Sequence, residues 1–251
     1  MNNKGKAGSQ LDLQVAVESP RSELSSLLLK DHLIGSSIKW FSPIKETNYK
    51  EFVDRSFWSG CLESSQDSFW EGMKKPDQFW INGGPNWDGL AVITEPDNTK
   101  VLVLIEAKGH KGEMNSDCGA CGRSLLCIEK QLDNAKNLMD IGNSNPWTKK
   151  YYQNANRIAY DVILNNLGVN TEVVFVLFAN DPYWNIYDPT SLTDWNTRLS
   201  EANEYLGVSE QLLRDHRIKH VIIDLNLPEN LGLKRDIVSR LIQNGVNIPF
   251  L

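Results

Sequence analysis

Val101-Leu102-Val103-Leu104-Ile105 is apolar at every position, and Glu106-Ala107-Lys108 follows at once. Successive side chains of a strand point to opposite faces, so a strand with one face in water alternates apolar and polar residues. A strand with no polar face has both faces covered, which predicts the interior of a sheet held between two layers of other elements. Val173-Val174-Phe175-Val176-Leu177-Phe178 repeats this pattern, and Val221-Ile222-Ile223 is a shorter instance.

The segments between these strands carry the helical period instead. Leu125, Ile128, Leu132, Ala135 and Met139 recur at spacings of three and four, which places them on one helix face. Tyr152, Ala155, Ala159, Val162 and Ile163 do the same, with Gly168 as the stop. Trp195, Leu199, Ala202 and Leu206 predict a helix ending at Gly207, and a last helix runs from about Leu233 to Gln243. Nearer the start, Ser19-Pro20 predicts a helix entry leading into Leu24, Leu27 and Leu28, and a second helix is expected around Tyr49 to Trp58. Phe79-Trp80-Ile81 and Leu90-Ala91-Val92-Ile93 read as strands, with Glu95-Pro96-Asp97-Asn98 as the turn into the apolar run. The order predicts an α/β sandwich around a central mixed sheet flanked by helices, antiparallel at its front and parallel at its back. Residues 1–18, polar and carrying Gly5 and Gly8, are expected to be poorly ordered, with 19–251 forming a single domain.

With 26 Lys and Arg against 32 Asp and Glu, the net charge of -6 excludes a chain-wide basic field, so any nucleic-acid contact must be local. No apolar run approaches the roughly 20 residues that span a bilayer. The first residues lack an apolar signal core, and four cysteines are too few for a disulfide scaffold, so a cytoplasmic protein with reduced thiols is expected.

A hairpin whose turn centres on Asp97 pairs residues symmetrically about that point, which sets Asp88 opposite Glu106 with Cβ atoms about 4.5 to 5.5 Å apart. Lys108 projects from the same face as Glu106, and Ala107 from the other. Two ionised carboxylates this close repel, and one must take a proton unless a cation lies between them. Mg²⁺, which accepts one or two protein carboxylates and keeps several waters, suits such a pair. The Lys108 ammonium would then orient a water or stabilise charge on a phosphate. The competing reading is an ordinary exposed ion pair at two strand ends. The position favours chemistry, because both residues leave the sheet at a strand's carboxyl end, a habitual place for sites in α/β folds.

Asn86-Trp87-Asp88-Gly89, the hairpin, and Ile105-Glu106-Ala107-Lys108, flanked by helices and followed by another strand, resemble the PD-(D/E)XK nuclease superfamily. The resemblance spans most of residues 79–180 and is strongest to bacterial members reading Gly-Pro-x-Trp-Asp before the hairpin and Glu-Ala-Lys after it. Trp87 stands where the name-giving proline would be, a position that is loose in the superfamily. The resemblance implies a restriction-endonuclease-like three-layer sandwich and a Mg²⁺-dependent phosphodiesterase site, with Mn²⁺ as a substitute. Asp88 and Glu106 would be metal ligands, the Ala107 carbonyl a third, and Lys108 the motif lysine. The substrate it implies is nucleic acid, DNA before RNA.

Further residues have two readings each. Gln153, Asn156 and Arg157 share a face of the second long helix, and would contact phosphate or base or simply form a solvated face. His110, Lys111 and Glu113 lie on a Gly-rich loop that would close over a substrate or stay an ordinary loop. Glu51 is a candidate additional acid or an exposed one. Cys118-Gly119-Ala120-Cys121 allows a thiol oxidoreductase, against a packed loop thiol as the plain reading. A catalytically inactive member of the same fold that binds nucleic acid or protein is the other alternative. The acidic total suggests recruitment by a protein partner or a basic groove formed in a homodimer.

Overall fold

A computed structural model describes residues 5–53, 80, 84–142 and 145–248. Its centre is a five-stranded sheet in the order β1-β4-β5-β6-β7, formed by Ser37–Ser42, Gly89–Thr94, Lys100–Lys108, Thr171–Ala179 and Ile218–Asp224. The two-residue strands β2 (Phe52–Val53) and β3 (Asn86–Trp87) pair separately, antiparallel to each other. β1, β4 and β5 run antiparallel, whereas β5, β6 and β7 run parallel. The mixed sheet expected from the strand patterns is therefore present. Gly89 pairs with Ile105 and Thr94 with Lys100, the register of a hairpin centred on Asp97.

Helices cover both faces, which is why β5 and β6 tolerate no polar side chain along their middles. Leu102 and Leu104 of β5 pack with α3 (Gly122–Leu138), α4 (Tyr152–Asn166) and α5 (Leu192–Leu206). Val101, Val103, Ile105 and Ala107 pack on the other face with α1 (Gly8–Glu18), α2 (Leu24–Leu29) and α7 (Leu231–Gln243). Each such side chain contributes about 1.5–3 kcal/mol when fully buried, so a strand apolar on both faces is stable only between two layers. A short helix α6 (Glu210–Asp215) precedes β7. Local chemistry sets the helix ends: Ser191 and Asp194 form a capping box at the start of α5, and Gly207 at φ 71° ends it.

The structure departs from the sequence expectations at the front of the chain. Gly8–Glu18 is a helix, not a poorly ordered segment, and Leu11, Leu13, Val15 and Ala16 are buried in it. Its apolar residues do not repeat at helical spacing because it is covered on nearly all sides. Ser19 ends α1 instead of starting a helix, and the next helix begins only at Leu24. The helix expected near Tyr49 gives way to β2 at Phe52–Val53, and residues 54–58 lie outside the described ones. So do Phe79 and Ile81 of the strand expected there. β1 had been missed, although Ile38 and Trp40 alternate with Ser37 and Lys39 as a half-buried strand should.

Candidate active site

Asp88 falls at the bend between β3 and β4, one residue before the ladder with β5 begins. Glu106 and Lys108 lie on the part of β5 that extends past that ladder, still paired with β6 through Phe175 and Leu177. The chain therefore carries both carboxylates to the same sheet end without a β4 strand covering them. Asp88 Oδ2 accepts the Ala107 N–H at 2.8 Å, which fixes its carboxyl against the strand. N–H and C=O of one strand residue point to the same side, so the Ala107 carbonyl faces the Asp88 edge as well.

Glu106 is almost fully buried, at 2% exposure, and is held by two cations. Lys108 Nζ donates to Oε1 at 2.5 Å, while Arg157 approaches Oε2 with Nε at 2.9 Å and Nη2 at 2.8 Å. Burial alone would raise its carboxyl, but Arg157 and then Lys108 outweigh that and hold it below the usual range. Asp88 goes the other way. Burial and then the Glu106 charge push it up to about 7, against the pull of Lys108, the Ala107 N–H and Arg157. The facing pair thus behaves as two crowded carboxylates should, one ionised and one near the edge of taking a proton.

α4 supplies the cover. Lys108 Nζ also donates to Gln153 Oε1 at 3.2 Å, and the Gln153 N–H is held by Ser116 Oγ at 2.8 Å. Arg157, one turn further on, donates from Nη2 to the Asn86 carbonyl at 2.7 Å and lies 5.0 Å from the Trp87 ring centroid. The solvated-face reading of this helix is corrected here: Arg157 and Asn156 are 6% and 7% exposed. Arg157 binds the glutamate of the strand, a role the sequence reading had not assigned. Its spacing of four from Gln153 was the available signal, since it stacks both over one strand end.

His110 and Glu51 are drawn into other contacts. His110 caps the 3₁₀ turn Lys111–Met114, accepting from Gly112 N, and its Nε2 lies 2.9 Å from Asp188. Lys111 pairs with Asp188 and Asp194, and Glu113 accepts the N–H groups of Gly109 and His110, so the loop is held internally and tied to the segment leading into α5. Glu51 accepts from Gln10 of α1 at 2.7 Å. Cys118 and Cys121 are free thiols ahead of α3.

The donor set fits a hard cation in part. Two carboxylates meet beside the Lys108 and Arg157 cations, with the Ala107 carbonyl on the Asp88 edge, and Asp88 is the one left for an ion that keeps several waters. Among the described residues no three His, Cys, Asp or Glu side chains come together as a metal cluster. No helix of the described residues is long and apolar enough to cross a membrane. No family model matches the chain, and no curated protein or solved structure matches it significantly.

Proposed function

We propose that the protein is a metal-dependent nuclease of the restriction-endonuclease-like fold, hydrolysing phosphodiester bonds in nucleic acid, DNA before RNA. The observation that carries this reading is the approach of Asp88 to Glu106 and the Ala107 N–H just past the end of the β4–β5 ladder, with the Lys108 ammonium on Glu106. Asp88, Glu106 and the Ala107 carbonyl would hold Mg²⁺ or Mn²⁺. When bound, such an ion supplies an activated water and neutralises charge on the phosphate. Lys108, held between Glu106 and Gln153, stabilises the charge that grows on a phosphate oxygen. Arg157 fixes the Glu106 carboxylate, and Trp87 packs under its guanidinium.

The test is incubation of the purified chain with plasmid, single-stranded DNA and RNA, in Mg²⁺, Mn²⁺ or EDTA. Cleavage that needs the metal and falls by about 10²-fold or more in Asp88→Asn and in Lys108→Ala is the expected result. Cleavage that survives both substitutions assigns the activity elsewhere. One observation favours a second reading, a binding protein of the same fold without catalysis: both Glu106 oxygens are already capped by cations. Nucleic-acid binding without cleavage in any metal would select it.

A further inference from the structure

Behind the acid site lies a second pair of carboxyls whose surroundings differ sharply. Asp12 of α1 is fully buried and Asp181, in the turn after β6, is 1% exposed. Neither Asp12 oxygen, nor Asp181 Oδ2, receives a hydrogen bond from an N–H or hydroxyl. Asp181 Oδ1 is satisfied by the Tyr183 N–H at 2.7 Å. What remains to Asp12 is the Asp181 carboxyl, which lies close enough for each to shift the other's titration. Two carboxylates cannot hydrogen-bond without a proton between them, and burying both ionised and unpaired would cost several kcal/mol each.

Asp181 sits at one of two glycines that meet α1. A Cβ on Gly109, the residue after Lys108, would come within 2.8 Å of Asp181 Oδ2, 3.1 Å of the Trp184 ring and 3.2 Å of Ser9 N. A Cβ on Gly89, the residue after Asp88, would come within 3.3 Å of Leu13, Ile105 and the Ser42 carbonyl. α1 therefore presses on the strand ends just beyond Asp88 and Lys108, with Asp12 between its two contact points.

We propose that Asp12 and Asp181 share one proton, and that this carboxyl–carboxylate hydrogen bond is the clamp holding α1 against the strand ends that carry the acid site. Asp12 is the proton carrier and Asp181 the acceptor, because Asp181 already takes a main-chain N–H that favours its ionised form. Burial and then Asp181 drive the Asp12 carboxyl well above the usual range, and burial pushes Asp181 up to about 6. Glu113 is the third acid that faces both, its Oε2 taken by the N–H groups of Gly109 and His110 and its Oε1 3.5 Å from the Ser9 hydroxyl of α1. On the same side His110 stacks on Trp184 and meets Asp188, and Lys111 pairs with Asp188 and Asp194. α7 meets α1 with Arg240 and Asp236 at Glu18 and Ser19, the opposite end of the helix.

The clamp stands whether or not the acid site cleaves phosphodiesters, and its test needs no substrate. A carboxyl raised in the fold stabilises less as pH climbs through that raised value, so the clamp weakens from about pH 4 upward. Thermal midpoints of the full chain are measured from pH 5 to pH 9 for wild type, Asp12→Asn and Asp12→Ala. Asparagine donates to Asp181 without ionising, so Asp12→Asn is expected to stay near wild type at pH 5 and to decline less steeply, by roughly 3–6 °C over the range. Asp12→Ala is expected to be lower at every pH. The Gly109 and Ser9 amide resonances should titrate together in wild type and stay still in Asp12→Asn. An Asp12→Asn slope equal to wild type, or a variant no better than Asp12→Ala, overturns the proposal. So does a midpoint raised by 1 mM Mg²⁺ or Ca²⁺ in wild type and Asp88→Asn alike, but not in Asp12→Asn, which would put a cation in the proton's place.

Discussion

The two ends of the sheet each bury a glutamate against basic side chains, and they differ in what stands beside it. At the carboxyl end of β5, Glu106 is 2% exposed and is bound by Lys108 and Arg157. At the start of β6, Glu172 is equally buried and lies 3.3 Å from His32 and 3.2 Å from Lys219. Each glutamate also has a raised acid beside it, Asp88 at about 7 and Asp161 at about 8, both through burial first. The difference is what the second acid is left with. Asp161 is fully buried and accepts the Thr171 hydroxyl at 2.6 Å, inside the packing of α4. Asp88 accepts one main-chain N–H and keeps part of its surface open.

A cavity of about 700 Å³ opens near Glu172, and its charges largely cancel each other: Lys219 with Asp31 and Glu172, His32 with Glu95 and Glu172, Arg214 with Glu210. Size and burial alone therefore do not mark a site. The proposed site rests instead on Asp88, Glu106 and Lys108 meeting beyond the end of the β4–β5 ladder, under Gln153 and Arg157 of α4.

The contrast is sharpest if the two ion networks carry unequal weight. Arg157→Ala strips Glu106 of one cation inside a nearly dry site and frees the Asn86 carbonyl, so it is expected to cost about 3–5 kcal/mol in guanidinium unfolding. Lys219→Ala leaves Glu172 with His32 and removes a partly exposed ammonium, so a cost of about 1–2 kcal/mol is expected. Equal costs would break the comparison.

A smaller effect distinguishes the two raised acids. Asp161 is favoured protonated in the fold, so stability is expected to fall as pH rises from about 4 through about 8, and Asp161→Asn should flatten that fall while leaving the acid site intact. Calorimetric midpoints at pH 5 and pH 8.5 check it, and an unchanged slope would place the titration elsewhere. The smallest effect belongs to the exposed rim of the cavity. Glu210→Ala loses a 3.9 Å pair with Arg214 and is expected to cost no more than about 0.5 kcal/mol, vanishing in high salt.

Much of the sheet was legible because its strands obey local rules. The all-apolar runs of β5 and β6 require two covering layers, and the turn at Asp97 sets the Gly89–Ile105 register that brings Asp88 to the end of β5 carrying Glu106. α3, α4, α5 and α7 announce themselves by period and by Gly168 and Gly207. α1 did not, because a helix buried on nearly every side has no polar face to give it a period. β1 is the least legible strand, because its alternation of Ile38 and Trp40 with Ser37 and Lys39 is short and lies at the sheet edge.

The amino-acid sequence by itself determined the layered α/β class, the hairpin register and the meeting of Asp88, Glu106 and Lys108 at one sheet end. These follow from side-chain alternation and turn position, which act over a few residues. Only the tertiary structure decided that Arg157 is the partner of Glu106, that His110 and Glu51 are engaged elsewhere, and that Asp12 lies against Asp181. Those contacts join residues 51, 78, 41 and 169 positions apart, and nothing in local sequence encodes which distant surfaces the packing of two helical layers presses together.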